Sequence, residues 1–521
     1  MIEPPKRAAA WRRILYVGLA VLLVVELARL GGQLQKRVTF PWDLLTCFES
    51  PHLAALMKLY SGEPLYGPAT DANSEPYTPL TAQLTYVVLK PLGLELDIRG
   101  ARGVAVGFTL VTAGIAAWLV RRLLLTADVA ARAADVVTPL VAAAAFLMLH
   151  RSMTSDQPHP DNLHILHATT LLLLLTRAAT TDRLAPWIAA ALWASLGFLT
   201  KQTAALAPAA VVLTVICHRS LAWRARLAIA GLTVTVAVVI AWWQLSDPSS
   251  DFHLRRVLAV HARDWSRLRS LYTDRIPLKL FPRWALAATA ATGFVWAWRT
   301  TAVRPFLAAW CAVGFFEALP GVAGFIKAGG NYNNLGVLDF WLFLLATPVA
   351  IGLALQATGL RAVVAAATCG WFVAALWPIK LVPNEHSYRL GRDVELRVQA
   401  DIAAGRNVWL TAGLMFRIRA GDVRPPQDLG IALWTLAAAR QVDHDGEAAH
   451  AWDEGVEARL KSGTFDRIYF FYPANPLMFA MLPAKYERID TIKGAGYGTH
   501  EEYRGMQLGV NGATVYERRK E

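Results

Sequence analysis

Long apolar runs constrain the fold of this chain more than any other feature of its sequence. They extend over roughly 17–25 residues, which is the length that an α-helix needs to cross a hydrocarbon core of ~30 Å. Of the 521 residues, 55% are hydrophobic and only 17% are charged, and the mean hydropathy is +0.34. Soluble domains carry about 25% charged residues, so the composition predicts a polytopic α-helical membrane protein with about eleven transmembrane helices.

The predicted spans share this length and apolar character, and they are residues 14–34, 101–122, 133–150, 162–178, 185–199, 203–217, 225–245, 282–300, 304–320, 335–356 and 360–379. The first run contains Glu26 and Arg29 and has no small-residue cleavage site after it. We therefore expect a retained signal-anchor helix. The net charge of +13 suits basic cytoplasmic loops facing anionic lipids, so membrane lipids are expected partners and nucleic acid is not.

The distribution of basic residues predicts the orientation of the chain. Short basic loops follow several spans, and the N-terminus is basic as well. The positive-inside rule places all of them in the cytoplasm only if residues 35–100 make no net crossing. The apolar run 79–93 is therefore predicted to be a juxtamembrane helix on the outer face. Under this assignment the outer segments are residues 35–100, 151–161, 200–202, 246–281, 321–334 and everything from 380 onward.

The composition becomes that of a soluble protein after about residue 380. Residues 406–410 and 467–471 are typical of short strands, and the stretches 386–404, 428–441 and 446–461 are typical of helices. Strands that alternate with helices indicate a small α/β fold. We expect a transmembrane domain at 1–379, with its outer loop at 35–100, and an extracytoplasmic α/β domain at 380–521.

Residues that could carry chemistry gather on the predicted outer face. The early outer loop contains Asp43 and Glu49, and each could be a general base or a metal ligand. Helix capping or a solvated loop is the simpler interpretation. The loop 246–281 contains Arg255, Arg256 and Arg263, which are unusual on an outer face. They indicate either a phosphate ligand or an amphipathic helix at the lipid interface.

Three more outer segments contain candidate residues. Asp156, His159 and Asp161 lie in the second outer loop, although Asp161 could equally cap the helix that follows it. Lys201 interrupts an apolar run, where it either reaches for the interface or binds an anion. Lys327 precedes a glycine-rich and amide-rich segment whose backbone could approach a ligand closely, or which could be an ordinary turn.

The order of these motifs resembles the GT-C superfamily of membrane glycosyltransferases. The closest likeness is to the protein-mannosyltransferase/aminoarabinose-transferase-like group and to the related polyprenol-phosphate-mannose-dependent group. Glu49, Asp161 and the segments 62–66, 77–80 and 197–201 carry the resemblance. The sequence departs from the common Tyr-Pro-Pro form at Thr78, and the strict Asp-Glu or Asp-x-Asp pair is absent. The base could therefore be Glu49 or Asp43, and Glu49 is favoured because it precedes a helical stretch.

The resemblance implies a GT-C-like fold of about eleven transmembrane helices with outer juxtamembrane helices, in a bacterial inner (plasma) membrane with a cytoplasmic N-terminus. It implies an inverting enzyme that moves a sugar from a polyprenyl-phosphate donor to a hydroxyl of a lipid, glycan or protein acceptor at the outer face. No cofactor is firmly expected, and a divalent cation is possible. The alternatives are a polyprenyl-linked glycan ligase or polymerase, a lipid-linked sugar transporter or flippase, and a non-catalytic scaffold.

The resemblance also distributes the candidate residues among roles. The donor phosphate would be bound by Lys201, Arg255, Arg256, Arg263 and Lys327. Asp161, Asp156 and His159 would bind the acceptor or supply a second carboxylate. The substrate loops would supply Tyr66, Tyr77, Asn331 and Tyr332.

Overall fold

A computed structural model provides the structure of this chain. It describes residues 6–519 except 46–48, 72, 75–76, 95, 130, 152–155, 182, 257–264, 266–276, 328–331, 357–381, 425–435, 438, 441, 443–444, 472–484 and 494–511.

The predicted membrane region is helical. Its main helices are α1 Lys6–Val38, α2 Glu49–Ser61, α3 Leu80–Leu89, α4 Ile98–Thr126, α5 Ala131–Arg151, α6 Pro160–Ala179, α7 Leu184–Ser195, α8 Gly197–Thr200, α9 Ala207–Cys217, α10 Trp223–Leu245, α11 Pro248–Asp251, α12 Pro277–Arg299, α13 Arg304–Val313, α14 Leu319–Ile326 and α15 Gly336–Gln356. Short 3₁₀ turns lie at Lys90–Leu92, Gln202–Ala204, Thr301–Val303 and Tyr332–Leu335, and π-helical turns at Phe252–Arg256 and Gly314–Ala318. Every predicted span up to residue 356 is mainly helical, although turns interrupt the spans 185–199 at Leu196 and 203–217 at residues 205–206. The last predicted span, 360–379, lies outside the described residues.

Within the described part of the chain, 3 helices are long and apolar enough to cross a membrane, namely Ile98–Thr126, Trp223–Leu245 and the composite Thr301–Ile326. Shorter apolar helices lie at Val137–His150, Leu184–Ser195, Gln202–Cys217 and Gly336–Ile351. The helical membrane character is thus confirmed, whereas the count of eleven spans stays a prediction.

The run 79–93 forms the short helix α3 and a 3₁₀ turn that ends at Gly93, whose φ is 63°. At about 1.5 Å per residue the 10 residues of α3 extend ~15 Å, which is half of a hydrocarbon core. Its length therefore fits the prediction of a helix that does not cross the membrane. The position relative to lipid stays a prediction.

The C-terminal region contains a small mixed sheet of β1 Val408–Leu410, β2 Arg467–Phe470, β3 Tyr486–Lys493 and β4 Gly512–Arg518, in the order β1-β2-β4-β3. Strand β1 is parallel to β2, and the other pairs are antiparallel. Helices lie at α16 Glu385–Ala403, α17 Leu414–Arg419, α18 Glu447–Ala451 and α19 Ala458–Lys461, with a π-helical turn at Trp452–Glu457. The two predicted strands and the helices near 386–404 and 446–461 are present, whereas most of 428–441 lies outside the described residues.

One hydrophobic core joins the first outer loop to this C-terminal region. Phe40 and Trp42 from the loop belong to the same buried cluster as Phe416 and Ile468. A Cβ atom at Gly391 would lie 2.4 Å from the Trp42 ring, so glycine is needed where α16 crosses this ring. The loop and the C-terminal region therefore pack as one unit, and the boundary near 380 stays a prediction.

Candidate active site

Asp43, one of the two predicted bases, is fully buried and connects the outer loop to α17. Its carboxylate accepts hydrogen bonds from the Ser50 hydroxyl at 2.6 Å and from the N–H groups of Leu414 and Met415, each at 2.9 Å. The first N–H groups of a helix have no partner inside the helix, and a carboxylate there is favoured by the helix dipole. The contacts of Asp43 are therefore those of a residue that positions the C-terminal region.

Glu49, the base favoured from the sequence, forms a buried ion pair with Arg102 near the start of α4. Arg102 Nε lies 2.7 Å from Glu49 Oε1, and Arg102 Nη2 lies 2.8 Å from Oε2. Both side chains are 0% exposed. Arg102 also donates to three backbone carbonyl groups within residues 37–42. Both oxygens of Glu49 are thus engaged, and the pair holds the outer loop against α4.

Asp156 forms a second buried ion pair, with Arg37 at the end of α1. The side chains are 0% and 3% exposed, respectively. This pair joins the predicted second outer loop to the end of α1, whereas His159 and Asp161 contact each other.

His159, Asp161, Lys201 and Asn334 form a buried polar group, here named the Asp161–Lys201 cluster. His159 Nδ1 lies 2.7 Å from Asp161 Oδ2, and the Lys201 ammonium group contacts Asp161 Oδ1 and donates to Asn334 Oδ1 at 3.0 Å. His159 and Asp161 open α6, where the helix dipole favours an anion. Lys201 has an extended backbone with φ −164° and ψ 146°, so α8 ends there and the lysine points across to α6.

Lys327 follows α14 and adds a second cation near this cluster. Burial, and then the charge of Lys201, lower the pKa of Lys327 to about 8. The two ammonium groups of Lys201 and Lys327 are thus close enough to repel each other. Such a site favours an added anion. Across the described ranges, no group of three or more His, Cys, Asp or Glu side chains is arranged to hold a metal ion.

A small pocket, here named the outer pocket, lies beside the Asp161–Lys201 cluster and is lined by His52, residues 77–78, residues 81–82 and residues 158–160. Burial and the neighbouring His159 lower the pKa of His52 to about 3, so this imidazole is neutral at pH 7. The Tyr77 ring contacts His159 edge to face, with ring centroids 4.9 Å apart. The predicted substrate residue Tyr77 therefore lies beside the predicted acceptor residue His159.

Tyr66 contacts Tyr77, which lines the outer pocket. Its hydroxyl donates to the Tyr77 carbonyl at 2.6 Å, and its ring stacks on His253 at 6.4 Å. The two segments that carry the family resemblance, 62–66 and 77–80, are thus joined by a hydrogen bond. Tyr66 positions Tyr77 and does not itself line the outer pocket.

Arg255 and Arg256 lie at a different place, on the π-helical turn after α11. Both bind Asp251, with Arg255 Nε at 2.5 Å and Arg256 Nε at 2.7 Å, and Arg256 also contacts Glu447 of α18. Their side chains are 61% and 44% exposed. Hydrogen bonds from Arg255 lower the pKa of Asp251 despite its partial burial. Arg263, Asn331 and the side chain of Tyr332 lie outside the described residues.

Sequence reasoning missed a second buried polar group, in which His164 and His167 of α6 contact Glu317. His164 Nε2 and His167 Nδ1 lie 3.4 and 3.2 Å from Glu317 Oε2, and Glu317 is 0% exposed. Residues three apart on a helix share a face, so Asp161, His164 and His167 follow one line along α6. A glutamate inside the apolar run 304–320 was the available signal, because ionisable residues within a span usually have a functional or structural partner.

Comparison with known proteins agrees with the motif analysis. Residues 94–243 match the family model described as dolichyl-phosphate-mannose-protein mannosyltransferase. This segment contains Asp156, His159, Asp161 and Lys201. The match confirms the resemblance to membrane glycosyltransferases and the prediction of an enzyme of this class. No curated protein sequence matches the chain significantly.

Solved structures with similar backbones include ArnT from Cupriavidus metallidurans in the apo state, with 14% sequence identity, 98% of each chain covered and a TM-score of 0.48. The same protein bound to undecaprenyl phosphate matches with 13% identity, 98% of each chain and a TM-score of 0.47. The oligosaccharyltransferase from Archaeoglobus fulgidus in its apo form matches with 11% identity over 88% of this chain and 69% of that chain, with a TM-score of 0.48.

Proposed function

We propose that this chain is an inverting glycosyltransferase that moves a sugar from a polyprenyl-phosphate donor to an acceptor hydroxyl at the outer face of the membrane. The observation that carries this proposal is the buried ion pair between Lys201 and Asp161, with Lys327 near enough for the charge of Lys201 to lower its pKa. The leaving phosphate of such a reaction needs a cationic site, and the acceptor hydroxyl needs a carboxylate to take its proton.

Lys201 and Lys327 suit the phosphate of the donor. When the bond between the sugar and the phosphate breaks, the leaving polyprenyl phosphate gains a negative charge. Ammonium groups already in place stabilise that charge without reorganisation, and they do so more strongly in a buried site than in water. Lys201 would exchange part of its contact with Asp161 for the phosphate, which would free the carboxylate for its own role.

Asp161 is the carboxylate that we propose as the general base. The acceptor oxygen attacks the anomeric carbon from the side opposite the phosphate, the new C–O bond forms as the old one breaks, and the hydroxyl proton passes to Asp161. His159 would orient the carboxylate. The sequence favoured Glu49, with Asp43 as the alternative, and both remain candidates. Their contacts with Arg102 and with α17 favour positioning roles.

Arg255 and Arg256 are proposed to extend the positive potential toward the lipid headgroups, because both remain partly exposed while bound to Asp251. The proposed acceptor is a lipid, a glycan or a protein. Chelation followed by addition of Mg²⁺ or Mn²⁺ tests whether a divalent cation takes part in the reaction.

The test is transfer from a labelled polyprenyl-phosphate sugar by the purified protein in nanodiscs. Lys201→Met should lower kcat/KM by about 10²–10³-fold, the loss typical of one charge-stabilising donor, whereas Lys201→Arg should retain part of the activity. Gln202→Leu is the matched control, because this side chain adjoins Lys201 in the chain. A protein that moves the lipid across vesicle membranes without cleaving off its sugar would instead be a flippase, and the proposal would fail.

A further inference from the structure

We propose that Asn334 is a positioning residue that holds the Lys201 ammonium group in place for the donor phosphate, and that a glycine face of α14 fixes Asn334. The glycine face consists of Gly321 and Gly324. This inference rests on the proposed function, since Lys201 is the group that would bind the phosphate. It goes further because the motif analysis gives Asn334 and the glycine face no role, and the family match ends at residue 243.

The first observation is the set of partners of Lys201. This side chain is 6% exposed, and within the described part of the chain its ammonium group contacts Asp161 Oδ1 and donates to Asn334 Oδ1 at 3.0 Å. An ammonium group has three N–H donors, so one of them stays available for a phosphate oxygen. The neutral amide of Asn334 orients the lysine without cancelling its charge. When Lys201 exchanges Asp161 for the phosphate, its bond to Asn334 can therefore stay in place.

The second observation is the close approach of α14 to Asn334. A Cβ atom at Gly321 would collide with the Asn334 carbonyl oxygen, and one at Gly324 would lie 3.0 Å from Asn334 Oδ1. Both distances are shorter than ordinary van der Waals contact. Gly321 and Gly324 are three residues apart, so they share one face of the helix. The backbone and the side-chain amide of Asn334 thus both rest on a surface that glycine leaves open.

The third observation is the attachment of α14 to α6. Glu317, in the π-helical turn directly before α14, contacts His164 and His167 of α6 at 3.4 and 3.2 Å. Helix α6 also carries Asp161, the other partner of Lys201. The two acceptors of the lysine are therefore supported by helical segments that contact each other through a buried polar group. Sites supported by helices hold their side chains more precisely than sites on loops.

A double-mutant cycle tests whether Asn334 acts through Lys201. Asn334→Leu removes the acceptor at similar size and should lower kcat/KM by about tenfold, the effect of one lost hydrogen bond to a charged group. In the Lys201→Met background the same substitution should change kcat/KM by less than about twofold, because the lysine that Asn334 orients is gone. A merely structural role would give a tenfold loss in both backgrounds, and that result would overturn the inference.

Gly324→Ala tests the glycine face with one added methyl group. It should lower kcat/KM by about threefold to tenfold, because the methyl group displaces the Asn334 amide, and it should add nothing in the Lys201→Met background. Gly107→Ala on α4 is the matched control, since a Cβ atom there meets no described atom within 4 Å, and it should stay within about twofold. Titration with SDS gives the folded fraction of each variant, and rates are expressed per folded protein. Equal effects of the two glycine substitutions would overturn the role of the glycine face.

A binding experiment separates the failure of this inference from that of the proposed function. Native mass spectrometry of the protein in nanodiscs measures the binding of polyprenyl phosphate, which needs no turnover. The wild type and Gly107→Ala should bind it more tightly than Lys201→Met and Asn334→Leu, and the double variant should bind it no more weakly than Lys201→Met. If the wild type transferred no sugar but gave this pattern, the proposed function would fail and the positioning of Lys201 would stand. If Asn334→Leu bound polyprenyl phosphate as tightly as the wild type, the inference would fail.

Discussion

Glu49→Gln is the substitution that best separates a positioning carboxylate from a catalytic one. The change keeps the size of the side chain but removes the negative charge opposite Arg102, which is 0% exposed. Breaking a buried ion pair by removing one partner costs about 3–5 kcal/mol. Because the amide can still accept one hydrogen bond from Arg102, we expect a loss near ~3 kcal/mol, or about a hundredfold in the folding equilibrium.

The assay measures stability and activity on the same preparations. The free energy of unfolding is obtained by titration with SDS in mixed micelles, and sugar transfer is measured at low temperature per folded protein. Glu49→Gln should lose stability but keep its kcat within about threefold. Asp161→Asn should lose about 10²–10⁴-fold in kcat, the usual contribution of a general base. Glu63→Gln, at an exposed position of the same loop, should change stability by less than about 0.5 kcal/mol.

The opposite pattern would refute this reasoning. If Glu49→Gln kept its stability and lost transfer by a hundredfold or more, while Asp161→Asn remained active, Glu49 would be the base. The ion pair with Arg102 would then be a resting arrangement that opens when substrate binds.

Three further predictions follow from the described contacts. Lys327 binds the donor phosphate in its charged form, and with a pKa of about 8 its charged fraction falls about tenfold between pH 7 and pH 9. The apparent donor KM should rise accordingly, and a flat profile in the wild type, or a rise that persists in Lys327→Arg, would contradict this role. Glu317→Leu should lower the free energy of unfolding by about 1–3 kcal/mol, because two buried imidazoles lose their acceptor. SDS titration should find a smaller loss for Glu317→Gln, and equal losses for the two variants would contradict the assigned contacts. In a cysteine-free background, Ser61→Cys should react with an impermeant thiol reagent from outside and Ser220→Cys only after permeabilisation, and the reverse labelling would invert the proposed orientation.

The sequence was sufficient to predict most of the helices, whereas the side of the membrane on which the polar residues lie stays a prediction. Apolar runs are local signals, so every predicted span up to residue 356 is mainly helical. The break at Lys201 was also visible, because a lysine inside an apolar run interrupts the pattern. The strand 486–493 was not predicted, since the adjacent polar pairs Glu487-Arg488 and Asp490-Thr491 interrupt its alternation. The strand 512–518 was not predicted either.

The contacts between distant residues could not be read from the sequence. No sequence pattern singled out Arg102, and only the fold brings it to Glu49, 53 positions earlier. The three residues of the predicted acceptor group also have different partners in the fold. Asp156 pairs with Arg37, whereas Asp161 contacts His159 and Lys201. The outer pocket required the convergence of α2, α3 and the start of α6, for which no short motif exists.

The anomeric configuration of the product tests the central proposal most directly. A polyprenyl-phosphate sugar of known configuration is incubated with the purified protein and an acceptor that carries a free hydroxyl, and the product is analysed by NMR. A single displacement at the anomeric carbon should give a glycoside of the opposite configuration, and Lys201→Met should form little of it. A product that retains the donor configuration, or donor that crosses the membrane with its sugar still attached, would contradict the proposal.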